Sequence, residues 1–180
     1  MTRLTPIDPS APSPAKPLLD AVQRKLGVVP NMMRVMAVNP AILSAYLGFS
    51  DAVTHSGLGI QVHEQIALAV AEANGCDYCL AAHTVLGKLA GLPQAAMLSA
   101  RKGEADDARA AAALTLARRL IADRGNLPAE HVAAARATLT DGEIVEVVAS
   151  VALNVFTNYL NLSAETDIDF PRAASLRQAA

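Results

Sequence analysis

The chain has 180 residues, a formal net charge of −2 and 52% hydrophobic residues, with aromatics at only 3%. That length suits one domain with a sizeable core, and the charge offers no basic footprint for nucleic acid. No apolar run reaches about 18 uninterrupted residues, which argues against a membrane span.

The opening, MTRLTPIDPSAPSPAKP, is rich in Pro and Ser and lacks the apolar core of a signal peptide. A cytoplasmic location is therefore the default expectation. Residues 1–16 are expected to form an extended arm, and 17–180 a single helical domain. A short helix over 17–27 stops at Gly27. Pro30 opens the next, where Met32, Met33 and Met36 read as core filler. Pro40 starts a third, ending near Ser56-Gly57.

Residues 61–74 are apolar nearly all round, through Val62, Ile66, Ala67, Leu68, Ala69, Val70, Ala71 and Ala73, and are expected to be buried. Glu64 sits among them. It is either a buried carboxylate that needs a partner, such as His83 or a thiol, or an exposed first-turn residue suited to the helix dipole. Asn74-Gly75 ends that helix, and 77–90 form the next, stopped at Gly91.

Further helices run from Pro93 to Lys102, from Asp106 to Gly125 and from Pro128 to about Thr138. Arg118, Arg119 and Arg124 read as a solvated face. Thr140 and Glu143 form a capping box. It opens a helix over 143–162 that packs Ile144, Val147, Val148, Val151 and Val155 along one side, with Phe156 in the core. The tail, 163–180, is expected to be irregular. No alternating strand pattern occurs, so the fold class is all-α.

Both cysteines fall in one stretch, Cys76-Asp77-Tyr78-Cys79, with His83 following. In the cytoplasm such a pair signals redox or metal chemistry rather than a staple. Cys76 lies at a helix N-terminus and Cys79 in its first turn, where the partial positive charge favours a thiolate. Residues three, four and seven apart share a face, so Cys76, Cys79 and His83 line one stripe, with Gly87 leaving room beside the sulfurs. Cys79 is the better attacking thiol, because His83 is its own i+4 neighbour. Cys76 is then the resolving thiol. His55, His63 and His131 have no evident partner and read as structural or exposed. Tyr78 is placed to wall a pocket, and Asn158 and Tyr159 serve packing or polar contacts.

ANGCDYCLAAH, with Glu64 upstream, resembles the alkylhydroperoxidase AhpD-like proteins of the carboxymuconolactone decarboxylase superfamily. NVFTNYLNLSAETDIDFP resembles the C-terminal part of their peroxidase-related branch. The likeness runs from about Val28 to Pro171. It implies an AhpD-like helical bundle that assembles as a homo-oligomer, a trimer or hexamer. It implies thiol peroxidase activity on a hydroperoxide with no metal or other cofactor, reset by an external dithiol or protein reductant. Cys79 matches the peroxidatic cysteine, Cys76 the second cysteine, and Glu64 and His83 the proton relay. The chain departs from the best-studied branch in carrying Asp77-Tyr78 where that branch has a His between its cysteines. Asp77 should oppose thiolate formation. Two other expectations use the same residues: a zinc set of Cys76, Cys79, His83 and Glu64, and a non-catalytic redox-sensing or ligand-binding oligomer.

Overall fold

A computed structural model describes residues 2–174 and 176. Among these residues there are nine helices and no strand, as the sequence leads one to expect. They are α1 (Lys16–Leu26), α2 (Asn31–Met36), α3 (Pro40–Thr54), α4 (Ile60–Asn74), α5 (Asp77–Leu89), α6 (Gln94–Lys102), α7 (Ala108–Ala122), α8 (Ala129–Arg136) and α9 (Asp141–Ala164).

Helix α4 is the centre. It packs on α5, α6, α7 and α9, which is why its sequence carries so little polarity. Ile66, Leu68 and Val70 are wholly buried, each contributing about 1.5–3 kcal/mol by removal of apolar surface from water. Gly75 ends α4 in the left-handed conformation, with φ 65° and ψ 33°, a region where a β-carbon is strained. The chain reverses there, and the Cys76 N–H bonds back to the Ala71 carbonyl at 2.9 Å. That reversal sets the start of α5 against the middle of the molecule.

The ends of the other helices follow local chemistry. Asp107 caps α7 by accepting from the Ala110 N–H at 2.8 Å. Thr140 and Glu143 cap α9 reciprocally: the Glu143 N–H donates to Thr140 Oγ1 at 3.2 Å, and the Thr140 N–H to Glu143 Oε2 at 2.7 Å. Residues 2–15 are irregular and lie against the chain's own body. The Ile7 N–H bonds to the Arg34 carbonyl at 3.0 Å, and Arg34 Nε returns a bond to the Ile7 carbonyl at 3.1 Å. Residues 166–174 are also irregular. The Asn31 N–H donates to Asp169 Oδ2 at 2.7 Å, which pins this segment beside α2. The last part of the tail, 177–180, and residue 175 lie outside the described residues.

Helix α9 departs from expectation. It is long and apolar enough, by length and composition, to cross a membrane, although no uninterrupted run announces that. Its inward face packs on α2, α3, α4, α5 and α7. That face carries Ser150, Asn154, Thr157, Asn158 and Asn161 beside Val147, Val151 and Leu153. Phe156, expected in the core, is 41% exposed, and Val148, expected on the packed side, is 44% exposed. Both corrections have one cause. The polar row occupies the inward face, so Val145, Val148, Phe156, Tyr159 and Leu162 are turned outward as an apolar stripe.

Candidate active site

Two helices make the site. Cys76 is the N-cap of α5, and its sulfur accepts the Cys79 N–H at 3.3 Å. The two cysteines are joined as a disulfide, with Cα atoms 5.3 Å apart. Both are buried. One turn further along α5, the His83 ring meets Glu64 of α4: Nδ1 lies 2.8 Å from Glu64 Oε2. Glu64 is therefore not the exposed first-turn residue that was one of its two readings; its side chain is only 10% exposed. A carboxylate there needs a partner, and the imidazole provides it. With Nδ1–H donating to the carboxylate, Nε2 is left as the acceptor nitrogen of the ring. Among the described residues no hydrogen bond joins His83 to either sulfur.

These groups open on one cavity of about 430 Å³, within the range of small-molecule sites. Cys79, His83 and Glu64 line it, and Cys76 does not. The rest of the lining is mostly apolar and includes Met32, Met33, Leu47, Leu86 and Phe170. Tyr78, between the cysteines, is one wall. Its hydroxyl accepts the Met32 N–H at 3.1 Å, and its ring meets Phe170 edge-on at 5.7 Å. Burial pushes its phenol well above the ordinary value. Burial likewise pushes the Tyr46 phenol, also in the lining, up to about 12. Both stay neutral near pH 7.

One sequence expectation is corrected here. A β-carbon on Gly87 would meet Met97 Sδ at 2.9 Å and Leu92 Cδ1 at 3.4 Å. The space that Gly87 leaves is filled by α6, not by the sulfurs. Asp77 is exposed and lies with Glu72 and Arg101 in a separate surface recess, away from the Cys79 cavity.

Two residues of the cavity were not singled out by sequence. Asn161 of α9 is buried, and its Nδ2 lies 3.4 Å from Cys79 Sγ. The signal for it was the spacing Ser150, Asn154, Thr157, Asn161, which repeats every three or four residues and marks one helical face. Asn158, on the neighbouring row, accepts instead from Asn74 Nδ2 at 3.0 Å. Tyr159 is exposed. The other residue is His63, read as structural or exposed. It is 5% exposed and lines the cavity. Ser56 Oγ lies 2.7 Å from the Val53 carbonyl, which accepts its one proton, and 3.0 Å from His63 Nε2. The network thus assigns Nε2 as the donor and leaves His63 Nδ1, which has no partner, as a buried acceptor. Ser150 Oγ and Asn161 Oδ1, of two further lining residues, are also buried without a partner.

Burial holds the His63 imidazole below its ordinary value, and the Glu146 and Glu64 carboxylates only partly oppose this. A depressed histidine is neutral in the folded chain while the unfolded chain binds its proton. Stability therefore falls as pH drops below about 6.5. The urea midpoint of the wild type is expected to decrease between pH 7.5 and 5, with a shallower decrease in His63→Gln. Equal decreases in the two proteins would show that another group carries the effect.

Residues 40–123 match the Carboxymuconolactone decarboxylase family. No curated protein matches the sequence. Among solved structures, an alkylhydroperoxidase AhpD core, an uncharacterized peroxidase-related protein from Ralstonia eutropha JMP134, is similar at 22% identity with a TM-score of 0.82, covering 93% of this chain and 92% of its own. The debrominase Bmp8, as a variant in complex with 2,3,4-tribromopyrrole, is similar at 20% identity and a TM-score of 0.79, covering 99% and 95%. An uncharacterized peroxidase-related protein from Silicibacter sp. TM1040 is similar at 23% identity and a TM-score of 0.76, covering 97% and 96%.

Proposed function

We propose that this chain is an AhpD-like member of the carboxymuconolactone decarboxylase superfamily and a cysteine-dependent reductase of organic hydroperoxides. One observation carries the reading. Cys79, and not Cys76, opens on an apolar cavity that it shares with the Glu64–His83 pair. An attacking sulfur needs access and a base, and a resolving sulfur needs only the first sulfur.

In this reading His83 takes the proton of the Cys79 thiol. The thiolate attacks the terminal oxygen of the hydroperoxide, forming an S–O bond as the O–O bond breaks. The electron pair of that bond leaves with the alkoxide, which regains the proton from His83 and departs as alcohol. Cys79 is now a sulfenic acid. Cys76 attacks it, the S–S bond forms, and water leaves. An external dithiol supplies the two electrons and two protons that restore the pair. The sulfurs stand as that disulfide in the structure. No metal or cofactor has a part in this cycle. A cytoplasmic setting goes with it, because dithiol reductants work there. So does a homo-oligomer, for which the outward apolar stripe of α9 is a suitable contact.

The test is a titration of the reduced protein with cumene hydroperoxide, counting free thiols. Two thiols per chain should be lost for each hydroperoxide consumed, and a dithiol should return both. Retention of both thiols at neutral pH would sink the reading and favour a non-catalytic or metal-binding role for the pair.

A second reading is favoured by the aromatic walls Tyr46, Tyr78 and Phe170 of the cavity. The same sulfur cycle can remove halogen from a brominated heteroaromatic ring, with Cys79 taking the halogen, the ring gaining a proton, and Cys76 expelling bromide as the disulfide closes. Stoichiometric bromide release from a bromopyrrole, without thiol loss to hydroperoxide, would select it.

A further inference from the structure

We propose that Asn161 is a catalytic residue that uses both ends of its amide: Nδ2–H holds the Cys79 thiolate, and Oδ1 holds the O–H of the incoming hydroperoxide. This deepens the thiol-peroxidase reading and rests on it for the second half only.

The argument starts from the one amide. Nδ2 lies 3.4 Å from Cys79 Sγ, within the reach of an N–H bond to sulfur. The side chain is 3% exposed, so little water competes for that donor. A donor that strengthens with charge favours the thiolate over the thiol. The α5 N-terminus acts in the same direction, and Asp77 of its first turn lines a separate recess. No other side-chain donor bonds to the Cys79 sulfur among the described residues.

The other end of the amide is unpaired. Asn161 lines the cavity, and its Oδ1 is buried without a partner. A buried acceptor left unpaired is unfavourable, and it invites a donor from whatever enters. The two polar atoms of an amide are neighbours, so an oxygen that meets the sulfur on the side of Asn161 also lies near Oδ1. In a hydroperoxide the terminal oxygen carries the hydrogen. That is the oxygen the thiolate attacks, and its hydrogen stays with it through the transfer. Oδ1 therefore accepts the same O–H before the reaction, from the hydroperoxide, and after it, from the sulfenic acid. No proton or electron passes through Asn161.

The experiment uses Cys76→Ser, which leaves Cys79 as the one thiol, and compares it with Cys76→Ser/Asn161→Leu. The pH dependence of iodoacetamide alkylation reads the thiol without any peroxide. Loss of the donor should raise the Cys79 pKa by about one, a roughly tenfold slower alkylation at a pH below both values. Sulfenic acid formation with cumene hydroperoxide, trapped by dimedone, should slow by more than that thiolate loss explains. An unchanged alkylation pKa would overturn the donor half. A rate loss equal to the thiolate loss would overturn the acceptor half. Should the leucine variant fail to fold, the Asn161 side-chain amide resonance in Cys76→Ser decides: it must titrate together with Cys79, and a resonance that does not move overturns the contact. A protein inert to hydroperoxide whose alkylation pKa still rises in Asn161→Leu would refute the hydroperoxide reading and keep the thiolate contact.

Discussion

Cys79→Ser should reduce hydroperoxide turnover to the uncatalysed background, a loss on the order of 10³-fold or more. Cys76→Ser should lose steady-state turnover as well but retain a single event. The difference follows from placement. Cys79 lines the cavity, and Cys76 sits behind it as the cap of α5. A serine hydroxyl is a poor nucleophile without a matched base, so nothing replaces the Cys79 thiolate. With Cys76 removed, Cys79 should still attack once and stop as a sulfenic acid, because the chain has no second thiol. Rapid mixing with cumene hydroperoxide and an excess of a dimedone-type trap should label close to one site per chain in Cys76→Ser and none in Cys79→Ser. Labelling of Cys79→Ser at the wild-type level would reverse the roles of the two cysteines. Both substitutions also remove the disulfide, so stability should be compared with the reduced wild type rather than with the oxidised protein.

Glu64→Gln and His83→Ala should each lower kcat/KM by about 10²–10³-fold at neutral pH, within the range of a positioned general base. They should not lower it twice. In the proposed cycle Glu64 acts on the sulfur through the His83 ring, 2.8 Å away, so the double variant should be little worse than either single one. Their effects on folding should differ. Glu64→Gln keeps the shape and a hydrogen-bonding oxygen toward His83 Nδ1–H, so the urea midpoint should move little. His83→Ala leaves a carboxylate in the cavity with no partner. That is the costly way to break such a pair, so the urea midpoint should fall clearly below that of Glu64→Gln. Multiplicative losses in the double variant would mean that the two residues serve separate steps.

Much of the site was legible because it is local. Cys76, Cys79 and His83 are placed by one helix, and helical spacing is a property of the backbone rather than of the fold. Gly75 and the Thr140–Glu143 box likewise announce the start of α5 and of α9, because left-handed φ and capping hydrogen bonds involve only near neighbours. The apolar circumference of α4 announced its burial for a similar reason. An unbroken hydrophobic surface has no solvent face to offer.

What escaped was everything set by contacts distant in sequence. Glu64 had two readings until α4 was laid against α5. Asn161 reaches Cys79 from 82 residues away. Gly87 was assigned to the sulfurs because it shares their stripe, but only the position of α6 reveals that Met97 occupies its space. In α9 the β-branched residues drew attention to one side, whereas Phe156 and Val148 lie outward and the polar row lies in. Helical periodicity identifies faces without saying which neighbour each face meets. A polar face can be the buried one where it lines a cavity, and an apolar face can then be the exposed one. Local sequence therefore determined the helices, their caps and the thiol–imidazole spacing, since those depend on short-range backbone geometry. The packing of α4, α5 and α9 decided which thiol is reachable, which carboxylate meets the imidazole and which amide touches the sulfur, since burial and long-range contact exist only once the helices are assembled.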